Sequence, residues 1–154
     1  MARFRATIEW ALKDGEDFAK GRYCRGHKVS FAQHVVPATA SHHVVGKWAE
    51  AGSVDPEEML VASISNCHML TFLHRARLAG FVVTQYRDAA EGVMEKTSEG
   101  RMVITRVTLH PEITYEGRRP SEAESRQLHH EAHEECFIAN SVKTEISVEE
   151  VEPA

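Results

Sequence analysis

One segment, residues 55–80, constrains the fold more than any other part of this sequence. Asp55 is a residue type that caps helix N-termini, Pro56 suits the first helical position, and Gly80 suits the end of a helix. Between these positions the apolar residues are too dense for a helix that lies on a protein surface. They are Met59, Leu60, Ala62, Ile64, Cys67, Leu70, Leu73 and Leu78. We therefore predict a long, largely buried helix.

The segments around this helix alternate between apolar and polar residues. Strands are predicted over 3–10, 28–33, 81–96, 102–115 and 142–151, and Ser121 is predicted to cap a second helix. Residues 37–53 are predicted to form a long loop that contains His42 and His43. The order βββ–α–ββ–α–β predicts an α+β fold in which mostly antiparallel sheets pack on a buried helix. Because 154 residues suit one domain and no repeat or linker occurs, we predict a single domain over 1–154.

Charge and composition exclude several classes of protein. The net charge is −5 with no basic run, which argues against a nucleic-acid partner. No apolar stretch approaches the roughly 20 residues of a membrane span, and the N-terminal residues lack the apolar region of a signal peptide. Three cysteines are too few for a disulfide scaffold. We expect a cytoplasmic protein with no membrane partner.

Two cysteines lie in the predicted helices and have two interpretations. Cys67 lies in the middle of the first helix and Cys136 near the end of the second. Cysteines on an apolar helix face are commonly packing residues. Alternatively the two form a reversible pair, in which one reacts as a thiolate and the other resolves the product as a disulfide. Cys24 has no obvious partner in the sequence and is expected to be incidental.

A reactive thiolate requires a nearby positive charge. Arg22 and Arg25 lie in the polar segment GRYCRG and are candidates for it, although both are also consistent with solvated side chains. Glu57 is a candidate to orient such an arginine, or it is simply a favourable acidic residue in the first helical turn. In one unbroken helix Glu57 and Cys67 are about 15 Å apart. Either the helix is broken, or the arginine and glutamate come from a partner chain, which predicts a dimer.

A metal site is the competing hypothesis. Three residues of zinc-ligand type follow one another at i, i+4 and i+7 on the second helix, namely His129, His133 and Cys136. A fourth ligand would come from His42, His43 or His68. The paired-cysteine motif and the zinc-protease motif are absent from the sequence, so the prediction is that no metal is bound.

Two segments carry a resemblance to a known family. Residues 55–67 read DPEEMLVASISNC, which resembles the Asn-Pro-Glu-Glu-Leu…Cys helix of the OsmC/Ohr proteins, bacterial thiol peroxidases that remove organic hydroperoxides. Residues 139–146, ANSVKTEI, resemble the segment that follows the second cysteine of that family. Arg22 resembles the arginine of the Ohr branch, and Arg25 fits almost as well.

The resemblance implies a fold, an activity and roles for four residues. It implies an OsmC-like intertwined homodimer with active sites at the subunit interface. It implies Cys67 as the peroxidatic thiol, Cys136 as the resolving thiol, Arg22 as the activating cation and Glu57 as its orienter. It also implies an organic hydroperoxide substrate, a lipoyl-type dithiol reductant and no bound cofactor.

Two features depart from the family pattern. His68 stands where the family typically has Phe, and the loop with His42 and His43 does not match the better-known branches.

Met59, Met69 and Phe72 are candidates to line an apolar substrate pocket. A small-ligand-binding protein that keeps the fold but lacks peroxidase turnover is the alternative from a different class.

Overall fold

A computed structural model describes residues 1–153 of the chain. The chain divides into two compact units, Met1–Met59 and a second unit that begins at Leu60. A single domain over 1–154 stays a prediction. No helix within the described residues is both long and apolar enough to cross a membrane.

The first unit contains a three-stranded antiparallel sheet. Its strands are β1 (Thr7–Glu9), β2 (His27–Phe31) and β3 (His34–Ala38), in the order β1-β2-β3. The predicted loop over 37–53 is more ordered than expected, because β3 extends into it and is followed by α1 (His42–Val45) and a 3₁₀ turn (Gly46–Trp48). Backbone hydrogen bonds of 3.1 Å join Val54 to the chain at 37 and 39 and hold this segment against the end of β3.

The predicted long helix is present as α2 (Pro56–Leu78). Its N-terminus is capped reciprocally: Glu58 N–H donates to Asp55 Oδ1 at 2.8 Å, and Asp55 N–H donates to Glu58 Oε2 at 3.0 Å. Gly80, at φ +82°, ends it as predicted. The prediction that α2 is largely buried holds along one face only. Its fully buried residues are Ile64, His68, Phe72 and Ala76, whereas Leu70 is 58% exposed.

The two long strands predicted after α2 are each divided into two. The segment 81–96 forms β4 (Val82–Asp88) and β5 (Glu91–Lys96), and the segment 102–115 forms β6 (Met102–Leu109) and β7 (Pro111–Glu116). β4 pairs with β7, whereas β5 and β6 form a sheet with β8 (Glu145–Val148). All pairings are antiparallel except that between β6 and β8, which is parallel.

The division occurs at a corner organised by one carboxylate. Asp88, the last residue of β4, accepts the backbone N–H of His110 at 2.7 Å and the hydroxyl of Ser65 on α2. Both oxygens of the Asp88 carboxylate are therefore hydrogen-bonded at the point where the chain passes from the β4–β7 sheet to the sheet that contains β5 and β6. Local alternation is the same on both sides of such a corner, which explains why the sequence predicted continuous strands.

The second predicted helix is α3 (Glu122–Glu135). Ser121 caps it as predicted, since Glu124 N–H donates to Ser121 Oγ at 3.3 Å and Ser121 N–H donates to Glu124 Oε2 at 2.8 Å. A 3₁₀ turn (Ala139–Ser141) follows before β8.

Two hydrophobic clusters form the core of the second unit. One joins the later part of α2 to α3, β4 and β7 through Phe72, Ala76, Phe81, Ile113, Leu128 and Ala132. The other joins the earlier part of α2 to β6 and β8 and centres on Ile64, Val107 and Leu109. Cys67 and His68 lie on α2 between Ile64 of one cluster and Phe72 of the other. Cys136 caps the end of α3, and Ile138 and Val142 after it pack against the second cluster.

The helix approaches β5 closely at Gly92. A Cβ atom at Gly92 would lie 2.5 Å from Val61 Cγ2, which is closer than van der Waals contact permits. Because Gly92 has no side chain, the part of α2 around Val61 packs directly on β5.

Candidate functional site

The structure brings together the two cysteines predicted to form a pair. Cys67 is half-buried on α2 and Cys136 is 1% exposed at the C-terminal cap of α3, and both are thiols rather than a disulfide. The Cys67 thiol lies close enough to Cys136 to raise the pKa of the Cys136 thiol. The fold therefore brings together two cysteines that are 69 positions apart in the sequence.

Cys136 is held in a turn that fixes its sulfur. Cys136 N–H donates to His133 O at 3.2 Å, Asn140 N–H donates to Cys136 O at 3.0 Å, and Ala139 N–H donates to Cys136 Sγ at 3.4 Å. Burial raises the pKa of the Cys136 thiol and the neighbouring Cys67 thiol raises it further, against the opposing effect of the Ala139 N–H. Cys136 therefore tends to retain its proton.

The two candidate arginines lie in the first unit and differ in their surroundings. The Arg22 side chain is 58% exposed and its Nη2 lies 3.7 Å from Asp17 Oδ2 in a loose ion pair. The Arg25 guanidinium stacks on the Tyr23 ring at 3.6 Å and donates to the carbonyl oxygens of Gly21 and Tyr23. Arg25 is thus committed to its own segment, whereas the Arg22 guanidinium retains donors for another acceptor.

Glu57 is not the residue that caps α2, because Asp55 and Glu58 perform that role. Among the described residues, Glu57 Oε2 is a buried oxygen that lacks a hydrogen-bond partner. A buried carboxylate oxygen normally requires a donor, and a guanidinium is a strong one. Because α2 is continuous from Pro56 to Leu78, the broken-helix alternative for joining Glu57 to Cys67 is wrong.

Cys24, expected to be incidental, has defined partners within the first unit. Its thiol donates to Glu50 Oε2 at 3.2 Å, and Gly26 N–H donates to its sulfur at 3.3 Å. Lys13 Nζ also lies 3.4 Å from Glu50 Oε2. The thiol proton is therefore engaged by a carboxylate rather than by another sulfur.

The predicted metal ligands do not converge. Within residues 1–153, no group of three or more His, Cys, Asp or Glu side chains is arranged to hold a metal ion. His129 instead directs its Nδ1 to His68 Nε2 at 2.9 Å, in a buried contact between α3 and α2. The sequence analysis joined the two histidines only as candidate ligands of one metal site, because no local signal indicates a direct contact between residues 61 positions apart.

One of the three residues expected to line an apolar pocket lies in the hydrophobic core. Phe72 is fully buried there and stacks on His129 at 4.3 Å between ring centres. A groove of about 520 Å³ lies along α3 and contains none of the predicted site residues. Its charged side chains are paired, Arg75 with Glu131 and Arg118 with Glu124.

Comparison with known proteins places the chain in a family. The family described as OsmC-like protein matches residues 49–151. Among curated proteins, none has a significant match to the chain. An OsmC-like protein of unknown function from Vibrio cholerae is 40% identical, with 98% of this chain and 100% of that chain covered and a TM-score of 0.94.

More distant solved structures share the fold. An organic hydroperoxide resistance protein from Elizabethkingia anophelis is 17% identical, with 99% of this chain and 96% of that chain covered and a TM-score of 0.71. An organic hydroperoxide resistance protein of Bacillus subtilis is 16% identical, with 97% and 98% covered and a TM-score of 0.63. The family match and the Vibrio cholerae relative, together with the α+β architecture and its mostly antiparallel sheets, establish that this chain belongs to the OsmC-like protein family.

Proposed function

We propose that this protein is a thiol-dependent peroxidase that reduces organic hydroperoxides to alcohols. The observation that carries the proposal is the proximity of Cys67 to the buried Cys136 thiol, whose pKa Cys67 raises. Two neighbouring thiols suit reversible disulfide formation. Fold neighbours described as organic hydroperoxide resistance proteins support the same substrate class.

The reaction begins with the Cys67 thiolate. Its sulfur attacks the distal oxygen of the hydroperoxide, the O–O bond breaks, and the proximal oxygen takes a proton and leaves as the alcohol. Cys67 is thereby oxidised to a sulfenic acid. Because burial favours the neutral thiol of Cys136, that residue suits the resolving role better than the attacking role.

The second step closes the disulfide. The Cys136 sulfur attacks the Cys67 sulfenic acid, the S–O bond breaks, and the hydroxyl leaves as water with the Cys136 proton. An external dithiol of the lipoyl type then reduces the Cys67–Cys136 disulfide and is itself oxidised. Since all electrons come from thiols, the cycle requires no bound cofactor, and it suits the reducing environment of the cytoplasm.

Arg22 and Glu57 complete the proposed site. The exposed Arg22 guanidinium would stabilise the Cys67 thiolate and the negative charge that develops on the leaving oxygen. The unpartnered Glu57 oxygen would accept hydrogen bonds from that guanidinium and orient it. Because α2 is unbroken, we propose that these two side chains reach Cys67 from a partner subunit, so that the active form is a homodimer.

Peroxide turnover tests the proposal. With cumene hydroperoxide as the substrate and dihydrolipoate as the reductant, Cys67→Ser is expected to lower turnover at least about 100-fold. The reason is that the serine hydroxyl is a far weaker nucleophile than the cysteine thiolate. Cys24→Ser is the matched control and is expected to stay within about twofold of the original protein, since it replaces a thiol outside the pair. Turnover that survives in Cys67→Ser would refute the mechanism.

A further inference from the structure

A buried contact between two histidines joins the helices that carry the paired thiols. His68 Nε2 on α2 lies 2.9 Å from His129 Nδ1 on α3. The two residues are 1% and 6% exposed, and their rings are nearly parallel, with centres 5.3 Å apart. Such a short polar contact in a closely packed core fixes the local distance between the two helices.

A third side chain faces the outer end of this contact. Glu150 Oε2 lies 3.6 Å from His129 Nε2, which is longer than a hydrogen bond, and accepts the hydroxyl of Ser125, one turn before His129 on α3. A carboxylate only accepts hydrogen bonds, so the proton of neutral His129 belongs on Nε2, facing Glu150. His129 Nδ1 is then an acceptor, and His68 Nε2–H is the donor across the helix interface.

The position of the pair relative to the thiols gives it a role. His68 follows Cys67 directly on α2, and His129 precedes Cys136 by seven residues, which is about two turns of α3. Any change in the distance between the helices at the histidines therefore displaces one sulfur atom relative to the other. Disulfide formation tolerates only a narrow range of Cβ···Cβ distances, about 3.5 to 4.5 Å.

We propose that His68 and His129 are positioning residues that hold α2 and α3 at the separation needed for the Cys67–Cys136 disulfide. The inference rests on the proposed function for its biological meaning, but the thiol pair can be tested without peroxide. Neither histidine touches the reacting atoms in this account. They act through the helices that carry the two cysteines, and Glu150 acts through His129.

The equilibrium between the protein and dithiothreitol measures this effect directly. Oxidised dithiothreitol accepts two electrons and two protons from Cys67 and Cys136, so its ratio to reduced dithiothreitol at half-oxidation gives the stability of the protein disulfide. The populations are read by acid quenching, alkylation and mass spectrometry on the full chain. The readout depends on how well the sulfurs are placed and not on catalysis.

His68→Phe fills the same space with an apolar ring and removes the donor. We expect it to lower the equilibrium constant for disulfide formation about five- to tenfold, which corresponds to the loss of one buried hydrogen bond. His68→Gln restores a donor and is expected to return the constant to within about threefold of the original protein. The control is His130→Gln, a substitution at an exposed neighbour on α3, which is expected to leave the constant unchanged.

Glu150→Gln perturbs the same series of contacts, from Glu150 through His129 to His68, without altering the buried core, because the Glu150 side chain is 34% exposed. Glu150→Gln is expected to lower the equilibrium constant about two- to threefold, since His129 loses its charged neighbour. If His68→Phe fails to fold, Glu150→Gln still tests the proposal. The positioning role alone would be overturned if His68→Phe and Glu150→Gln had the same equilibrium constant for disulfide formation as the original protein. It would also be overturned if His130→Gln lowered that constant equally. Absence of any Cys67–Cys136 disulfide in the original protein would overturn the proposed thiol pair as well.

Discussion

The two units of this chain contain similar residue types in different surroundings. In the first unit, the Cys24 thiol donates to the Glu50 carboxylate, which also faces Lys13. In the second unit, the Cys136 thiol is buried and its neighbouring ionisable group is another thiol, Cys67. A carboxylate accepts the thiol proton but cannot form a covalent bond to the sulfur, whereas a second sulfur can. Under the proposed function, the partner rather than the cysteine itself determines which thiol is oxidised.

The histidine pairs show the same contrast. His42 and His43 are exposed neighbours on α1 whose ring centres lie 6.3 Å apart. His68 and His129 are buried and in hydrogen-bond contact. Burial, with a smaller electrostatic contribution from the neighbouring His129 and His133, lowers the pKa of His68 from 6.5 to about 4. Protonation of buried His68 is therefore expected to destabilise the fold.

Replacement of the resolving cysteine is expected to have the largest effect on this comparison. Cys136→Ser should consume about one equivalent of cumene hydroperoxide per chain and then stall, because the Cys67 sulfenic acid has no thiol beside it. Cys24 should not substitute for Cys136, since its thiol is engaged by Glu50. Mass spectrometry of the treated variant measures the product. A Cys24–Cys67 disulfide, or continued cycling, would break the distinction between the two thiols.

A smaller effect is expected on acid stability. Unfolded His68 binds a proton near pH 6.5, but the folded state resists protonation until about pH 4, so the free energy of unfolding should fall as the pH falls through this range. Between pH 6.5 and 4.5 the fall attributable to His68 is about 2 kcal/mol. This window lies above the range in which the carboxylates with lowered pKa values titrate.

Urea unfolding at a series of pH values measures this dependence. His68→Phe should lose most of the decline between pH 6.5 and 4.5, because the titrating group is removed. His43→Phe, at an exposed histidine of the first unit, should keep the original profile. The same pH dependence in His68→Phe as in the original protein would show that other groups cause it.

The helices were predictable from the sequence because their ends are specified locally. Asp55 and Glu58 cap α2, and Ser121 and Glu124 cap α3, each within four residues of sequence. The division of the long strands was not predictable in this way. It depends on Asp88 receiving His110 from another strand and Ser65 from α2, and such contacts across the chain leave no mark on local alternation.

The candidate site shows the same difference between features that the local sequence specifies and features that depend on the fold. The sequence identified Cys67 and Cys136 through their local contexts, which resemble one family, but their proximity required the fold. The direct His68–His129 contact was not predicted, because the metal hypothesis offered His68 only as one of three possible fourth ligands beside His129, His133 and Cys136. Glu150 lies near the C-terminus in an acidic segment and likewise had no distinguishing feature.

A count of thiols before and after peroxide tests the central claim most directly. Reduced protein contains three thiols, Cys24, Cys67 and Cys136. After one equivalent of cumene hydroperoxide, we expect one thiol to remain, on Cys24, with a disulfide mapped between the other two and a slower loss with hydrogen peroxide. Three thiols after treatment would contradict the peroxidase mechanism and favour a ligand-binding role for this OsmC-like fold.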